Sequence, residues 1–483
     1  VNTQRWLAAP ARSRPDAEAL FDVDAARRWT WSQLHAEALG WAGLLRARGV
    51  VAGDRVAVLA GNRGETFALL FACAHLGAML APLNWRLAEA ELAWQLADLE
   101  PRVRLGEGST LALLGDGAID LDAGPGPVDR EPAASVAAAD PWLVLYTSGS
   151  SGRPKGALLT HGQILANARN TGEACDLRRA SVALTLTPLF HTGGMNCLST
   201  PVFWRGGRVV LTRSFDPQQA LSLLGPERVT HLMGVPTIFQ MLADHPDFAH
   251  TDLSGVRDAL CGGAPLPLPL LERYLARGVP LRQGFGLTEV GPNCFSLPAD
   301  RLLDKLGSVG RPLRQLDARL VAKGSACAPG ETGELQLRGD VVCGGYWKRA
   351  DAFAAAMDGD WFRTGDLLSA DAEGFFYVRG RAKEMFISGG ENVYPAEVEA
   401  ALGDHPGVAQ VAVLGVPDAR WGEVGHAWVE TRPSVRVTPD ELARFLDGRL
   451  ARYKRPKRIA VIGKLPRTGS GKIDKVALRA SLA

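Results

Sequence analysis

The stretch Tyr146-Thr147-Ser148-Gly149-Ser150-Ser151-Gly152-Arg153-Pro154-Lys155-Gly156 follows the apolar run Trp142-Leu143-Val144-Leu145 and precedes Ala157-Leu158-Leu159-Thr160-His161. This order predicts strand, loop, strand. The glycines open backbone conformations closed to other residues, the hydroxyls supply donors and Lys155 adds a compact positive charge, so the loop can wrap an oligophosphate. A Walker P-loop is excluded, because that motif needs Gly-Lys followed at once by Ser or Thr and then a helix, whereas Lys155 is followed by Gly156 and an apolar segment. A Ser/Gly-rich linker has the same composition. What separates the two readings is a set of further motifs at long range.

The flanking pattern alternates helix and strand. Thr30-Trp31-Ser32-Gln33 opens a helix to about residue 47 with Ser32 as its N-cap; residues 54–59 read as a strand, 65–75 as a helix and 79–83 as extended. Residues 106–140, rich in Gly, Ala, Asp and Pro, read as a surface connection with little regular structure. Beyond the loop, strands at 181–187, 208–211 and 229–233 alternate with helices at 162–173, 217–224 and 237–243, the pattern of a parallel sheet covered by helices. After residue 308 the strands shorten and Gly-containing turns suggest a smaller β-rich layer. The last stretch carries its own helices (395–402, 439–450) and strands (408–413, 425–429), enough for a small domain. Division is expected of 483 residues, since single cores stop growing near ~250–300. The expected fold class is α/β: a large N-terminal domain of layered α/β sheets plus a small β-rich subdomain (1–380), a hinge (381–383) and a small mobile α+β C-terminal domain (384–483).

Charge and cysteines exclude several classes. With 54 basic against 52 acidic residues the net charge is +2, so nucleic acid is not an expected partner. The seven cysteines are scattered without a Cys-x-x-Cys pair, which argues against a disulfide framework or zinc site and fits a cytoplasmic location. Residues 1–10 lack a basic-then-apolar leader pattern. The apolar run 67–83 is interrupted by His75, Gly77 and Pro82; a membrane span needs about 20 clean residues, so a buried helix leading into a strand is expected and no transmembrane segment. Only ten lysines accompany 44 arginines. Lys155, Lys383 and Lys472, each within a motif, therefore suggest sites that want a compact ammonium.

Pro188-Leu189-Phe190-His191-Thr192-Gly193-Gly194 ends a strand, where open α/β sheets place their ligands. Cys261-Gly262-Gly263-Ala264-Pro265 and Gln283-Gly284-Phe285-Gly286-Leu287-Thr288-Glu289 are tight glycine turns after strands. Trp361-Phe362-Arg363-Thr364-Gly365-Asp366 sets a carboxylate beside a turn, able to accept from both hydroxyls of a ribose. Ser388-Gly389-Gly390-Glu391-Asn392-Val393-Tyr394-Pro395 is a glycine turn before a helix begun by Pro395. Pro466-Arg467-Thr468-Gly469-Ser470-Gly471-Lys472-Ile473 places a lysine on a glycine loop. Each alone has a plain alternative: His191 as a core histidine, Glu289 as a surface carboxylate, Asp366 and Arg381 as an ordinary ion pair, Lys472 as a tail lysine.

Together the motifs resemble the adenylate-forming superfamily of acyl-CoA synthetases, adenylation domains and luciferases, over nearly the whole chain and most closely its fatty-acyl and aryl CoA ligase branch. The resemblance implies that Thr147, Ser148, Gly149, Ser150, Ser151, Gly152 and Lys155 bind phosphates. It places Gly262, Gly263 and Ala264 along the adenine edge, and the aromatic of Gly284-Phe285-Gly286 on the base. Phe285 stands where the family more often has tyrosine, which removes a hydroxyl contact and keeps the stacking. Thr288 then touches phosphate, Glu289 holds Mg2+, Asp366 and Arg381 hold the ribose, and His191 borders the acyl pocket. Lys383 is the pivot of the last domain, and Gly389 and Gly390 line a pantetheine tunnel. Lys472 is the movable cation that brings a carboxylate onto the α-phosphate. The implied reaction uses ATP, Mg2+ and coenzyme A: acyl-AMP and pyrophosphate form first, then acyl-CoA and AMP.

The pocket expected from His191 to Asn196, 262–264 and 285–288 is mostly small or apolar, with no motif-anchored arginine to read a second carboxylate. A medium- or long-chain fatty acid is the expected substrate. The alternatives are an aryl or cinnamate-type acid, an acyl-AMP ligase that loads a separate carrier protein, and a non-catalytic nucleotide sensor. The resemblance is compatible with a homodimer.

Overall fold

The computed structural model describes residues 3–147, 154–388, 391–433, 435–468 and 471–482. Two mainly parallel sheets form the large N-terminal domain. The first has seven strands in the order Leu281–Gln283, Asp258–Cys261, His231–Gly234, Val182–Thr185, Arg208–Leu211, Glu18–Asp22 and Arg27–Thr30, only the last pair antiparallel. The second runs Ile119–Asp120, Val103–Gly106, Arg55–Leu59, Met79–Pro82, Pro141–Thr147 and Lys155–Thr160, again antiparallel only at its final pair. Strands such as Val182–Thr185 and Met79–Pro82 are buried at every position, as parallel strands covered on both faces must be.

The apolar run 67–83 becomes the helix Gly64–Leu76 and the strand Met79–Pro82. Every residue of that helix except His75 is buried, the mark of an element wrapped by protein on all sides. Phe67 and Phe71 meet Phe203 edge-on, and the same core gathers Trp6, Trp29, Trp31, Trp41 and Trp142 from both sheets and their helices.

Two expectations are corrected. The helix Trp31–Ala47 is capped by Thr30 and not Ser32: Thr30 Oγ1 accepts from the Gln33 N–H while Gln33 Oε1 accepts from the Thr30 N–H, a reciprocal box that satisfies two otherwise free amides. Ser32 lies inside the first turn and donates to the Pro15 carbonyl. The connection 106–140 holds a helix, Thr110–Leu114, and the edge strand Ile119–Asp120. Buried Leu114 and Leu121 anchor it to the second sheet.

A small antiparallel sheet follows, ordered Phe295–Ser296, Ser308–Pro312, Phe376–Arg381, Trp361–Ala370, Thr332–Arg338, Asp317–Ala322 and Ser325–Ala326, with Met357–Asp358 paired to Trp361–Ala370. The small C-terminal domain is built on the hairpin Val408–Asp418 and Gly422–Thr431, flanked by Phe386–Ser388 and Arg458–Ile462. Alternate side chains of the hairpin serve two cores. Val413, Ala427 and Val429 pack with Val398, Leu402 and Leu442, while Ala412, Leu414 and Trp428 pack with Leu465 and Leu478.

Candidate functional site

The motifs at 188–194, 261–265 and 283–289 follow the carboxyl ends of parallel strands, the place where open α/β sheets bind ligands; Asp366 and Arg381 come from the antiparallel sheet. Glu289 sits in the short turn Thr288–Val290. Its Oε1 accepts from the Tyr346 hydroxyl at 2.9 Å and from Thr147 Oγ1 at 3.2 Å. Thr147 is the last residue of the strand before the phosphate loop. Tyr346 belongs to a segment stitched to the other side of that loop, through Leu158 N–H to Gly345 O at 2.9 Å, Trp347 N–H to Gly156 O at 2.7 Å, and Cys343 N–H to Glu289 O at 2.7 Å. Lys155 Nζ lies 5.1 Å from the Tyr346 ring centroid. Gln163 Nε2 donates to the Thr288 carbonyl. Burial and the Glu289 charge push the Tyr346 hydroxyl far up, so it remains a donor. The turn tolerates only glycine at 286, where a Cβ would lie 2.3 Å from the Pro292 carbonyl.

Gly262, Gly263 and Ala264 follow Asp258–Cys261, and Gly284 and Phe285 follow the neighbouring Leu281–Gln283. Gly284 N–H bonds the Cys261 carbonyl at 2.7 Å, Gly263 adopts φ +80°, and Phe285 meets Phe295 edge-on at 5.7 Å. Asp366 and Arg381 face each other across paired strands. Asp366 is 4% exposed, its Oδ1 lies 2.9 Å from Arg381 Nε, and its Oδ2 is buried without a hydrogen-bond partner. Burial raises the Asp366 pKa and Arg381 opposes the shift. A buried carboxylate oxygen ordinarily finds a donor, and ribose hydroxyls would supply it.

Lys472 approaches from the C-terminal domain on a loop closed by the Arg467 and Ile473 bridge and by Thr468 N–H to Lys472 O at 2.8 Å. Lys472 is exposed. Desolvation and Arg381 lower its pKa, while Asp366 and Glu289 raise it. The ammonium is thus within electrostatic reach of both carboxylates. His191 is held near 4 by burial, then by Lys472 and Arg86, so it is neutral at pH 7; its Nε2 is buried without a partner. The chain then winds into a wide π-helical stretch, Gly193–Ser199, a geometry frequent at functional sites. A Cβ on Gly193 would lie 3.0 Å from Met233 Cε. Met195 and Asn196, expected along the acyl pocket, are both buried. Met195 joins the main core, and Asn196 Oδ1 accepts from Thr200 while its carbonyl accepts from Asn167.

Ser148, Gly149, Ser150, Ser151, Gly152, Gly389 and Gly390 lie outside the described residues. The sequence reading did not single out Tyr346 or Arg86, whose guanidinium lies 5.8 Å from the Phe190 ring. The one signal for Tyr346 was an aromatic in a glycine turn, Gly344-Gly345-Tyr346. Among the described residues no cluster of three or more His, Cys, Asp or Glu could hold a metal. A single oriented carboxylate, Glu289, suits Mg2+, which keeps several waters and takes phosphate oxygens as its other ligands.

A strand pair carrying Thr147 and Lys155, a buried carboxylate with an open oxygen and a lysine from a second domain are parts that an enzyme activating carboxylates with ATP would use. Residues 7–347 match the AMP-binding enzyme family and residues 397–472 the AMP-binding enzyme C-terminal domain. The chain belongs to this family and is an AMP-forming acid–CoA ligase that uses ATP, Mg2+ and CoA. It is 43% identical over 487 residues to a feruloyl-CoA synthase of an Amycolatopsis species, covering 98% of each chain. It is 39% identical to an indoleacetate–CoA ligase of Aromatoleum aromaticum, covering 100% of this chain and 98% of that one. The solved o-succinylbenzoate CoA synthetase of Bacillus subtilis, in complex with its acyl-adenylate intermediate, superposes with a TM-score of 0.89 at 32% identity, covering 98% of both chains.

Proposed function

We propose that this ligase acts on an aromatic monocarboxylic acid of the cinnamate type, converting it to the aryl-CoA thioester. The observation that carries this reading is the full-length similarity to feruloyl-CoA synthases; the expected fatty acid gives way to the aryl alternative. Gly193 opposite the flexible thioether of Met233 is compatible with a flat ring, since methionine adapts to what it packs against.

In this reading Lys155 and the loop before it bind the phosphates, Glu289 with Thr147 and Tyr346 holds Mg2+, and Asp366 with Arg381 holds the ribose. Mg2+ supplies charge neutralisation at the phosphates when bound. His191 is neutral and so does not compete as a cation for the carboxylate. Lys472 bridges the entering carboxylate and the α-phosphate as charge redistributes in the transition state. For the thiol step the C-terminal domain, residues 384–483, turns about Lys383, withdrawing Lys472 and presenting Gly389 and Gly390. A cytoplasmic location is part of the proposal; among the described residues no helix is long and apolar enough to cross a membrane. Nothing in the reading requires a homodimer.

The test is pyrophosphate release with MgATP on ferulic, other cinnamic, indoleacetic and medium- and long-chain fatty acids, each with and without CoA, with mass identification of products. Aryl-CoA from the cinnamic acids is expected. Turnover confined to fatty acids would overturn the aryl reading, and acyl-AMP that CoA does not discharge would favour the carrier-protein alternative.

A further inference from the structure

Gln283 ends the strand Leu281–Gln283, in register with Cys261 on the adjacent strand. Successive side chains point to opposite faces of a strand. Arg282 turns into the interior, where Asp258 and the Ala174 carbonyl hold its guanidinium, so Gln283 turns the other way, toward the glycine turns. Its Oε1 accepts from the Leu266 N–H at 2.5 Å, and its Nε2 donates to the carbonyls of Ala264 and Gly284, each at 3.1 Å, with the Cys261 carbonyl 3.5 Å away. The neighbours dictate the amide orientation: an N–H demands the oxygen and carbonyls demand the NH2 group.

One side chain therefore bonds both the 262–264 turn and the 284–286 turn. Each turn has one backbone bond at its base, Gly262 N–H to the Gly234 carbonyl at 3.0 Å and Gly284 N–H to the Cys261 carbonyl at 2.7 Å. Beyond those bonds the residues at 262, 263 and 284 are glycines, Gly263 in the left-handed region at φ +80°, and glycine gives up more backbone freedom than any other residue when it is fixed. We infer that Gln283 is a positioning residue for the nucleotide, its amide fixing the spacing of the two turns and thereby the affinity for adenine over other bases. Fixing them in advance removes an ordering cost from ATP binding. The inference rests on those turns being the adenine site and is independent of which acid is the substrate.

The experiment measures AMP and GMP binding by calorimetry to the wild-type chain, Gln283→Met and Gln283→Glu. Met keeps the length and removes every polar contact; Glu keeps the acceptor for Leu266 and sets a carboxylate against two carbonyls. In both variants the Kd for AMP should rise about tenfold or more. In variants that still fold, the AMP-over-GMP preference should narrow and the KM for ATP should rise. Should Gln283→Met fail to fold, Gln283→Glu decides. An AMP Kd within about twofold of wild type in a folded variant would overturn the inference, as would unfolding of both variants, which would make Gln283 a residue of the fold alone. Wild-type protein that binds no AMP would overturn the adenine reading of the turns and the inference with it.

Discussion

The Tyr346 hydroxyl donates to Glu289 Oε1 at 2.9 Å, across 57 residues of sequence. With Thr147 on the same oxygen, it orients the Glu289 carboxylate beside the end of the strand Pro141–Thr147. A bond to a charged group contributes about 1.5–3 kcal/mol. Tyr346→Phe should therefore raise the Mg2+ concentration needed for half-maximal pyrophosphate release about tenfold or more, with the KM for the acid unchanged. Magnesium titrations of the two proteins check this; an unshifted titration would separate Tyr346 from the metal role of Glu289.

Lys472 is within electrostatic reach of Asp366, Glu289 and His191, on a loop of the other domain. A cation there acts on charge that develops only as the carboxylate meets the α-phosphate. Lys472→Ala should lower acid-dependent pyrophosphate release about 10²-fold or more, while thioester formation from supplied acyl-AMP stays near wild type. Equal loss of both half-reactions would remove Lys472 from the adenylation step.

Much of the fold was legible because its signals are local. The helix Gly64–Leu76 is an apolar run with a glycine stop, and the strand at 208–211 and helix at 217–224 fall where periodicity puts them. Ser32 reads as the cap from sequence because two capping residue types stand two positions apart, and only the hydrogen bonds decide for Thr30. The wide turns at Gly193–Ser199 have no pattern of their own over seven residues, so neither they nor the burial of Met195 and Asn196 can be read from the sequence. The site residues were named through motif resemblance. Tyr346 escaped because what marks it is a partner distant in sequence, not a spacing.

Gly193 and Met233 test the acyl pocket. A methyl at 193 meets the end of a flexible side chain 3.0 Å away, so Gly193→Ala should fold. Met233 must then shift into the space assigned to the ring. The expected result is a rise of about tenfold in KM for cinnamic acids with the KM for ATP unchanged, and recovery in Gly193→Ala with Met233→Ala, where the displaced thioether is gone. A KM series over acids of increasing width measures it; no change in any acid would place the pocket elsewhere.

His161 gives the protein an acid-sensitive core. It is fully buried, stacked on Trp142 at 4.9 Å with Nδ1 2.7 Å from Thr3 Oγ1, and desolvation holds its pKa near 4 against an ordinary value of 6.5. The unfolded chain takes up this proton as pH falls through about 6.5, the native state only near 4, so the unfolded state binds more protons between those limits and stability rises with pH across them. The loss on going from pH 7 to 4 is about 3 kcal/mol for this one group. His161→Gln removes the titration but leaves the carboxylates that both proteins share. The gap between wild-type and variant urea midpoints should therefore be largest near pH 7 and shrink steadily toward pH 4; a gap constant with pH would show that His161 titrates alike in both states.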